Sequence, residues 1–588
     1  MTWLLALMLT LAPAPRPDAD VAAARALFEK NLDAIRRRDK AAYLATYWKS
    51  EKLARTGADG IALGYAAHEK SAGEKWPDTF DASDLDLVAV RPGLVYGTYR
   101  YRVRYGADEQ TGISERLFVK TPAGWKIAMT SAFPAPAGTP PPPRAIVGAT
   151  LLDGTGAAPV ANATIVLRGG KIDCAGRCAI PGGVTVVDGR GTWVTPGLVD
   201  AHVHFSQTGW ADGRPDALDV RDKHPYEEVE ADLKEHPDRF FRSELCSGVT
   251  SVFDVGGYAW TVAMARREKE DTRAPHVAAA GPLLSTLDHW LNLPAERQFI
   301  LLKDAESARN GVAYLKSIGS EAVKVWYIVR PDLPVEKSAP AVLAAGEEAR
   351  KAGLPLIVHA TGLEEAKVAL RAGARMLVHS VIDKPVDEEF LELAKKNGTI
   401  YCPTLTVFGG YLRMAQGVAS RQPPAVDDPN GCVDPGTLAK IAETAHVPAP
   451  QGYAPQPERV ARVRDIAGPN LKRVVDAGIV VAMGTDAGNP LTLHGPSVYS
   501  EMEAMQAAGM TPMQVLVAST RGGATAMGLE KETGTVEKGK TADLLVIGGD
   551  PTADVANFRK VRYVVRAGVV RSIEELKATV AAADAPKK

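Results

Sequence analysis

The fold class the sequence predicts is α/β: a (β/α)8 TIM barrel over residues 196–530, with a small β-sandwich built from both of its flanks and an α+β domain ahead of it. Three observations lead there. Within 196–530, short apolar runs alternate with helical stretches, the pattern of a parallel sheet, and the length suits eight such units. On either side, at 145–195 and 531–575, lie β-rich segments broken by Gly and Asp. Upstream, "PAPAGTPPPPR", Pro134 to Arg144, is a stiff polyproline-type spacer and marks a domain boundary.

The chain has 588 residues, more than one ordinary domain holds; ~3 or 4 domains would be usual unless one is a large barrel. Apolar content of 46% and charged content of 24% are those of a soluble globular protein. A net charge of −1 points to neither nucleic acid nor an anionic membrane as the main partner.

In chain order, "MTWLLALMLTLAPAPRPDA" comes first, with an apolar core from Trp3 to Leu11. That core is too short to span a bilayer and has the length of a signal-peptide h-region. Residues 1–19 are therefore expected to be a signal peptide and the protein to be exported, periplasmic or secreted; a buried N-terminal helix is the alternative. Residues 20–133 read as a small α+β unit. "ALFEKNLDAIRRRDKAAYL" puts Phe28, Leu32 and Ile35 on one helical face. "YRYRVRY" alternates Tyr99, Tyr101, Val103 and Tyr105 with Arg100, Arg102 and Arg104, as a half-buried strand does. "ERLFVK", a "TPAG" turn and "WKIAMTSAF" follow as its hairpin partners. This order, with Asp39 after the helix and Trp125-Lys126-Ile127 in the last hairpin, resembles the nuclear-transport-factor-2-like (SnoaL-like) cone fold. The resemblance implies a cone that covers a barrel mouth, mediates dimerisation or holds a ligand of its own.

After the 134–144 linker, "AIVGATLLDGTGAAPVANATIVLRGGKI" opens the first flank, and "GTVEKGKTADLLVIGGDP" and "VRYVVRAGVVR" form the second. The two flanks are expected to pair, and 576–588 to be a C-terminal tail. Five cysteines are present, Cys174, Cys178, Cys246, Cys402 and Cys432. In an exported protein Cys174 could pair with Cys178, and an odd one must stay free; no metal is expected at "CAGRC".

A single histidine closing an apolar strand is more often a hydrogen-bonded core residue than a ligand. The pattern here is stronger than any one member. His202 and His204 in "LVDAHVHF" lie two apart in an extended segment, so both point to one side. His359 ends "LPLIVH", His379 ends "RMLVH" and Asp486 ends "VVAMGTD". Each polar group stands where a strand stops, which is where a barrel places its chemistry. Asp200 precedes the two histidines in the same strand and would orient them from behind. Lys324 interrupts the apolar run "EAVKVWY", where a charge is costly to bury unless paired or modified. It is either a lysine snorkelling at a strand end or one carboxylated by carbon dioxide into an anionic bridging ligand.

Together, "TPGLVDAHVHF", the strand-four lysine, the strand-five and strand-six histidines, "GTDAG" and "GTVEKGKTADLLVI" resemble the amidohydrolase superfamily of metal-dependent hydrolases over residues 144–572. The run from Thr485 to Ala518 is most similar to its imidazolonepropionase-like and prolidase-like branch. That resemblance implies that His202, His204 and Asp486 hold the more buried of two divalent metals, His359 and His379 the second, and N-carboxylated Lys324 bridges them. Zinc suits imidazole and carboxylate donors, which also admit manganese, iron or cobalt. Two such ions, about 3.5–4 Å apart, would share a hydroxide that attacks the carbonyl, with Asp486 as general base and then acid.

Around this set, Tyr327 and Arg330 are candidates for a developing oxyanion or a substrate carboxylate, and His289 and His494 for the pocket wall. A structural role is as plausible for each histidine. The polar insert Ser206 to Arg239 and the Pro-rich stretch Gln422 to Pro457 are expected to cover the site. The reaction expected is hydrolysis of an amide in an Xaa-Pro-like dipeptide or an N-acyl amino acid. The alternatives are a one-metal cyclic-amide hydrolase of imidazolonepropionase type and a non-catalytic binding protein on the same barrel. The partners expected are a small-molecule amide or dipeptide substrate and further copies of the chain in a homo-oligomer. Nucleic acid and stable membrane insertion are not expected.

Overall fold

The computed structural model describes residues 17–57, 60–106, 108–135 and 143–581. Residues 1–16 of the expected signal peptide, 136–142 of the linker and 582–588 of the tail lie outside them. The chain divides into two compact units, Met1–Pro140 and Pro141–Lys588.

In the first unit the helix Pro17–Arg36 buries Ala24, Phe28, Leu32 and Ile35, the face the periodicity marked. It shares a core with a six-stranded sheet in the order Gly60–Leu63, Ala54–Gly57, Gly124–Pro134, Asp108–Thr121, Leu94–Tyr105, Thr79–Arg91. Along Leu94–Tyr105 the tyrosines alternate inward as expected, with Tyr99 and Tyr101 buried. Arg104 departs from the alternation and is buried as well.

The second unit is a mixed α/β fold. Its two flanks meet in one eight-stranded sheet, where Trp193–Pro196 runs antiparallel to Leu544–Ile547. Ile146, Ile165, Val194, Leu544, Val546 and Val565 pack there as a separate core. Between the flanks, parallel strands alternate with helices. Leu198–Val203 pairs with Val249–Asp254, which pairs with His276–Ala279. Leu283–Ser285 pairs with Phe299–Leu301 on one side and Val323–Trp326 on the other. From Val323–Trp326 the ladder continues through Leu356–His359 and Met376–Val378 to Ile400–Cys402.

The helices stop where sequence chemistry stops them. Asp304 and Asp387 accept the amides of Ser307 and Phe390 at helix starts, and Gly319, Gly353 and Gly398 end helices with φ of 78°, 72° and 61°. The last run, "VVAMGTDAG", makes no regular strand. It lies between the last and first strands through single parallel bridges, Tyr401 to Val481 and Val203 to Ala487. Gly484 explains the tight fit: a Cβ there would come 2.5 Å from the Cys402 sulfur and 2.8 Å from the His202 Cβ.

Against three expectations the structure adds detail, and it corrects the one for the tail. The polar insert after the first strand is buried at its start, where Ser206, Gln207, Thr208, Trp210 and Asp212 are all buried. Trp210 and Asp212 bond Thr444 and Lys440 of the second insert, at 2.9 and 2.7 Å, so the two inserts are packed together. The tail begins inside a helix, Ile573–Ala581, whose Leu576 and Val580 are buried. The cysteines form two disulfides, Cys174–Cys178 and Cys246–Cys432, leaving Cys402 free and buried. The second spans 186 residues and has no signature in spacing.

Asp543 fastens the late flank to the middle section. Its carboxylate accepts from His276 at 2.9 Å and the Ala567 amide at 2.8 Å, beside the Arg566 guanidinium at 3.5 Å. Burial pushes its pKa up, but Arg566, His276 and these hydrogen bonds outweigh burial and hold it below the ordinary carboxylate range. A depressed pKa means stability that is present above the unfolded value near 3.9 and lost as pH falls through the folded value. Asp543→Asn is therefore expected to lower unfolding free energy at neutral pH by about 3–5 kcal/mol, a gap that closes in acid. Urea melts of both proteins at pH 7 and in acid check this; equal midpoints at neutral pH would contradict it.

Candidate metal centre

His202 sits in the strand Leu198–Val203, His204 just beyond it, and Asp486 at the matching end of the irregular last segment. Three donor atoms converge there. The His202 and His204 Nε2 atoms are 3.2 Å apart, and Asp486 Oδ1 lies 3.2 and 3.1 Å from them. Among the described residues, these three form the group of His, Cys, Asp and Glu close enough to hold one metal ion. His379 adjoins them, its Nδ1 4.0 Å from Asp486 Oδ2 and its ring 4.9 Å from His202. His359, the last residue of its strand, stacks edge-on to His379 at 4.3 Å. Lys324 is buried within Val323–Trp326, and its ammonium lies in the field of Asp486, Cys402 and Asp254. The structure thus brings all six sequence-marked residues to one end of the parallel strands.

The electrostatics favour neutral imidazoles, the form that ligates metals. Burial first, then Lys324 and the neighbouring histidines, hold His202 well below its ordinary range. His359 is pushed down to about 3 by burial and then by Lys324 and Arg214. Burial, then His359 and Lys324, hold His379 well below its ordinary range. Lys324 falls to about 8, chiefly because burial disfavours its charge, with Asp486 opposing. Tautomers are set as a ligand site requires: His204 Nδ1 lies 2.6 Å from the Gly256 carbonyl and donates to it, freeing Nε2. His379 Nδ1 is 2.7 Å from the Thr404 hydroxyl. Two imidazole nitrogens and a carboxylate oxygen within 3.2 Å of one another fit a divalent ion such as zinc.

Backbone strain concentrates at the same place. His379 and Asp486 have φ of 74° and 65°, and Thr404 has 43°, values rare outside glycine. Asp200 secures the fit, though not by touching the imidazoles. It accepts the amides of His202 and Thr485 at 3.1 and 3.0 Å and the Thr485 hydroxyl at 2.5 Å, clamping the first strand to the segment that carries Asp486. Burial, then Glu244, raises Asp200 to about 8.

The four outlying candidates divide. The Tyr327 hydroxyl is engaged by Ser338 of the following helix at 3.2 Å, and Arg330 is solvent-exposed against Asp332 at 3.2 Å. Among the described residues, neither makes a hydrogen bond or ion pair to the six. His494 is a buttress: it lies between Phe205 and Phe240, its Nδ1 3.1 Å from Glu244 and its Nε2 3.4 Å from the Gln207 carbonyl. His289 lies 5.3 Å from the Trp326 ring, which itself lies 6.3 Å from His359, and its Nε2 is 3.7 Å from Asp216.

Several residues had escaped notice. Asp254 ends the apolar strand Val249–Asp254 as the ligands end theirs, so its signal was available. It accepts the amides of Phe205 and Gly256 and sits beside His204. Burial raises it to about 6. Arg214, in the buried insert, gives one arm to Asn489 at 2.7 Å and a two-point fork to Asp216 at 2.8 Å each. Tyr411 also bonds Asn489, at 2.7 Å, and Asn489 donates to the Asp486 carbonyl at 3.0 Å. Burial alone would lower Arg214; Tyr411, Asp216 and Asp486 more than offset it and keep the guanidinium charged beside the donors. No spacing rule links positions this far apart.

Comparison with known proteins follows the same lines. The family model described as the amidohydrolase family matches residues 193–571. Imidazolonepropionase of Geobacillus kaustophilus is 25% identical over 408 residues, 64% of this chain and 78% of that one. A crystal structure of a Xaa-Pro dipeptidase with bound methionine superposes with a TM-score of 0.54 at 23% identity, covering 73% of this chain and all of that one. The A. niger ochratoxinase structure gives a TM-score of 0.55 at 21% identity over 73% of this chain and 96% of its own.

Proposed function

This chain belongs to the amidohydrolase family, whose members are hydrolases of carbon–nitrogen bonds that typically bind metals, and we propose that it is a binuclear metal-dependent amidohydrolase. Its substrate on this reading is an Xaa-Pro-like dipeptide or an N-acyl amino acid. The observation that carries the reading is the convergence of His202, His204 and Asp486 to within 3.2 Å, with Lys324, His359 and His379 beside them. We read the strand ends as the catalytic face of a closed (β/α)8 barrel.

His202, His204 and Asp486 would hold one divalent ion, a donor set that suits zinc, and His359 and His379 the second. Bound there, such ions acidify a water and polarise the scissile carbonyl. The rest falls to the chain. Asp486 has one oxygen on the two imidazoles and the other turned toward His379, so it can take the proton of the attacking water and return it to the leaving nitrogen. Lys324, buried and partly deprotonated near neutral pH, can add carbon dioxide through its amine nitrogen, forming an N–C bond and releasing one proton. The carbamate so formed carries a negative charge amid four imidazoles. On this reading the buried start of the first insert, Ser206 to Asp212, shields the donors from bulk water, and Arg214 adds positive charge beside Asp486 for a substrate carboxylate.

The imidazolonepropionase relatives favour a second reading, one metal and a cyclic amide, in which only the three converging donors ligate. We further propose export, supported by two disulfides, which persist in oxidising compartments. Among the described residues no helix is long and apolar enough to cross a membrane. The test is a hydrolysis screen over Xaa-Pro dipeptides, N-acyl amino acids and a cyclic imidazolone, with zinc and bicarbonate supplied. Release of free amino acid from one of the linear classes is expected. Turnover of the cyclic amide alone would overturn the reading in favour of the second.

A further inference from the structure

The first unit encloses a cavity of about 240 Å3 between the helix face and the sheet. Its walls are aromatic and apolar, among them Tyr43, Trp76, Phe80 and Tyr101. Arg55, Lys75 and Arg116 also line it, and no Asp or Glu does.

Arg116 is the unusual member. It is 3% exposed and donates to two phenols, Tyr47 at 2.7 Å and Tyr99 at 2.8 Å. Its Nε has no partner, and among the described residues no carboxylate pairs with it. A buried guanidinium without a counter-ion is costly, and such groups call for an explanation. His68 lies across the cavity, 3% exposed, packed on Tyr47 at 4.2 Å, with both ring nitrogens unpartnered. Burial, then Arg55 and Arg116, push it down to about 4, so it is a neutral donor and not a second cation. Tyr43 accepts from Tyr47, and Tyr99 from Arg116; among the described residues neither phenol has an acceptor for its own proton. The Arg116 guanidinium, the His68 imidazole and the Tyr43 and Tyr99 hydroxyls thus face a space whose described walls carry no carboxylate, and the surrounding rings suit an apolar body.

We infer that this cavity is a binding site for a small organic carboxylate with an aromatic body, its carboxylate on Arg116 and His68 and its ring against Tyr43 and Trp76. The site belongs wholly to the first unit and does not depend on the hydrolase reading.

The test uses the full chain and isothermal titration with benzoate, phenylacetate and cinnamate, alongside phenylacetamide as the uncharged match. At least one carboxylate is expected to saturate one site with Kd below about 1 mM, and phenylacetamide to bind ten-fold or more weaker. Arg116→Gln is expected to abolish that binding. Because a buried substitution can unfold the unit, Trp76→Phe serves as a second variant: it keeps Arg116 and is expected to remove the fluorescence change on binding while saturation persists. No saturation by any of the three up to about 10 mM would overturn the inference. So would equal affinity for the amide, or binding that survives unchanged in folded Arg116→Gln, which would place the carboxylate elsewhere.

Discussion

Asp486→Asn is expected to lower kcat/KM for carbon–nitrogen bond hydrolysis about a thousand-fold or more while leaving the protein folded. Asparagine is nearly the same shape and tolerates the left-handed backbone that Asp486 occupies at φ 65°, so the Asn489 bond to its carbonyl and the bridge at Ala487 survive. What disappears is the anionic oxygen that meets His202 and His204, and with it the base that moves the proton. The loss should fall on kcat, since proton movement matters in the transition state and little in substrate binding. Circular dichroism and a urea melt confirm folding, and initial rates on the substrate found by screening give the effect. A variant within ten-fold of the parent would remove Asp486 from the chemistry.

The second large effect is expected at Lys324. As a structural lysine it would be a liability: it is buried, and burial pulls its pKa down to about 8. Replacement by Met would then stabilise the protein and leave metal content unchanged. As the carbamate-bearing residue, it supplies the negative charge that four clustered imidazoles lack. Lys324→Ala is therefore expected to lose about half of the bound metal and about a hundred-fold in rate. Acetate or propionate, fitting the room the side chain leaves, should restore part of the rate. Unchanged metal content and rate in Lys324→Ala would sink the two-metal reading and leave the one-metal alternative.

The legible part of this protein was the part written in local periodicity. Strand ends announce themselves, because an apolar run that stops at a polar residue is a one-dimensional signal, and His202, His359 and His379 were each read that way. Asp254 carries the same signal at the end of its own apolar strand. The helix face of Phe28, Leu32 and Ile35 and the pairing of the two flanks were equally accessible, since each rests on alternation within a short window. What stayed hidden depends on contacts between distant positions. Asp200 looks in sequence like a support for the imidazoles, yet its partners are backbone amides and Thr485, 285 residues away. The insert from Ser206 is polar by composition, and its bonds to the second insert, through Trp210 and Asp212, join positions more than 200 residues apart. The Cys246–Cys432 bridge and the Arg214–Asn489–Tyr411 cluster are likewise tertiary facts. Tyr327 misled for a simpler reason: three residues past Lys324 the strand has ended, and its hydroxyl meets Ser338 of the next helix.

The most direct test of the central claim is a titration of zinc into chelator-stripped full-length protein, with hydrolysis rate read at each addition. The account predicts no rate at zero metal and a rise that levels off near two equivalents per chain. Full activity in the stripped protein, before any zinc is added, would contradict it.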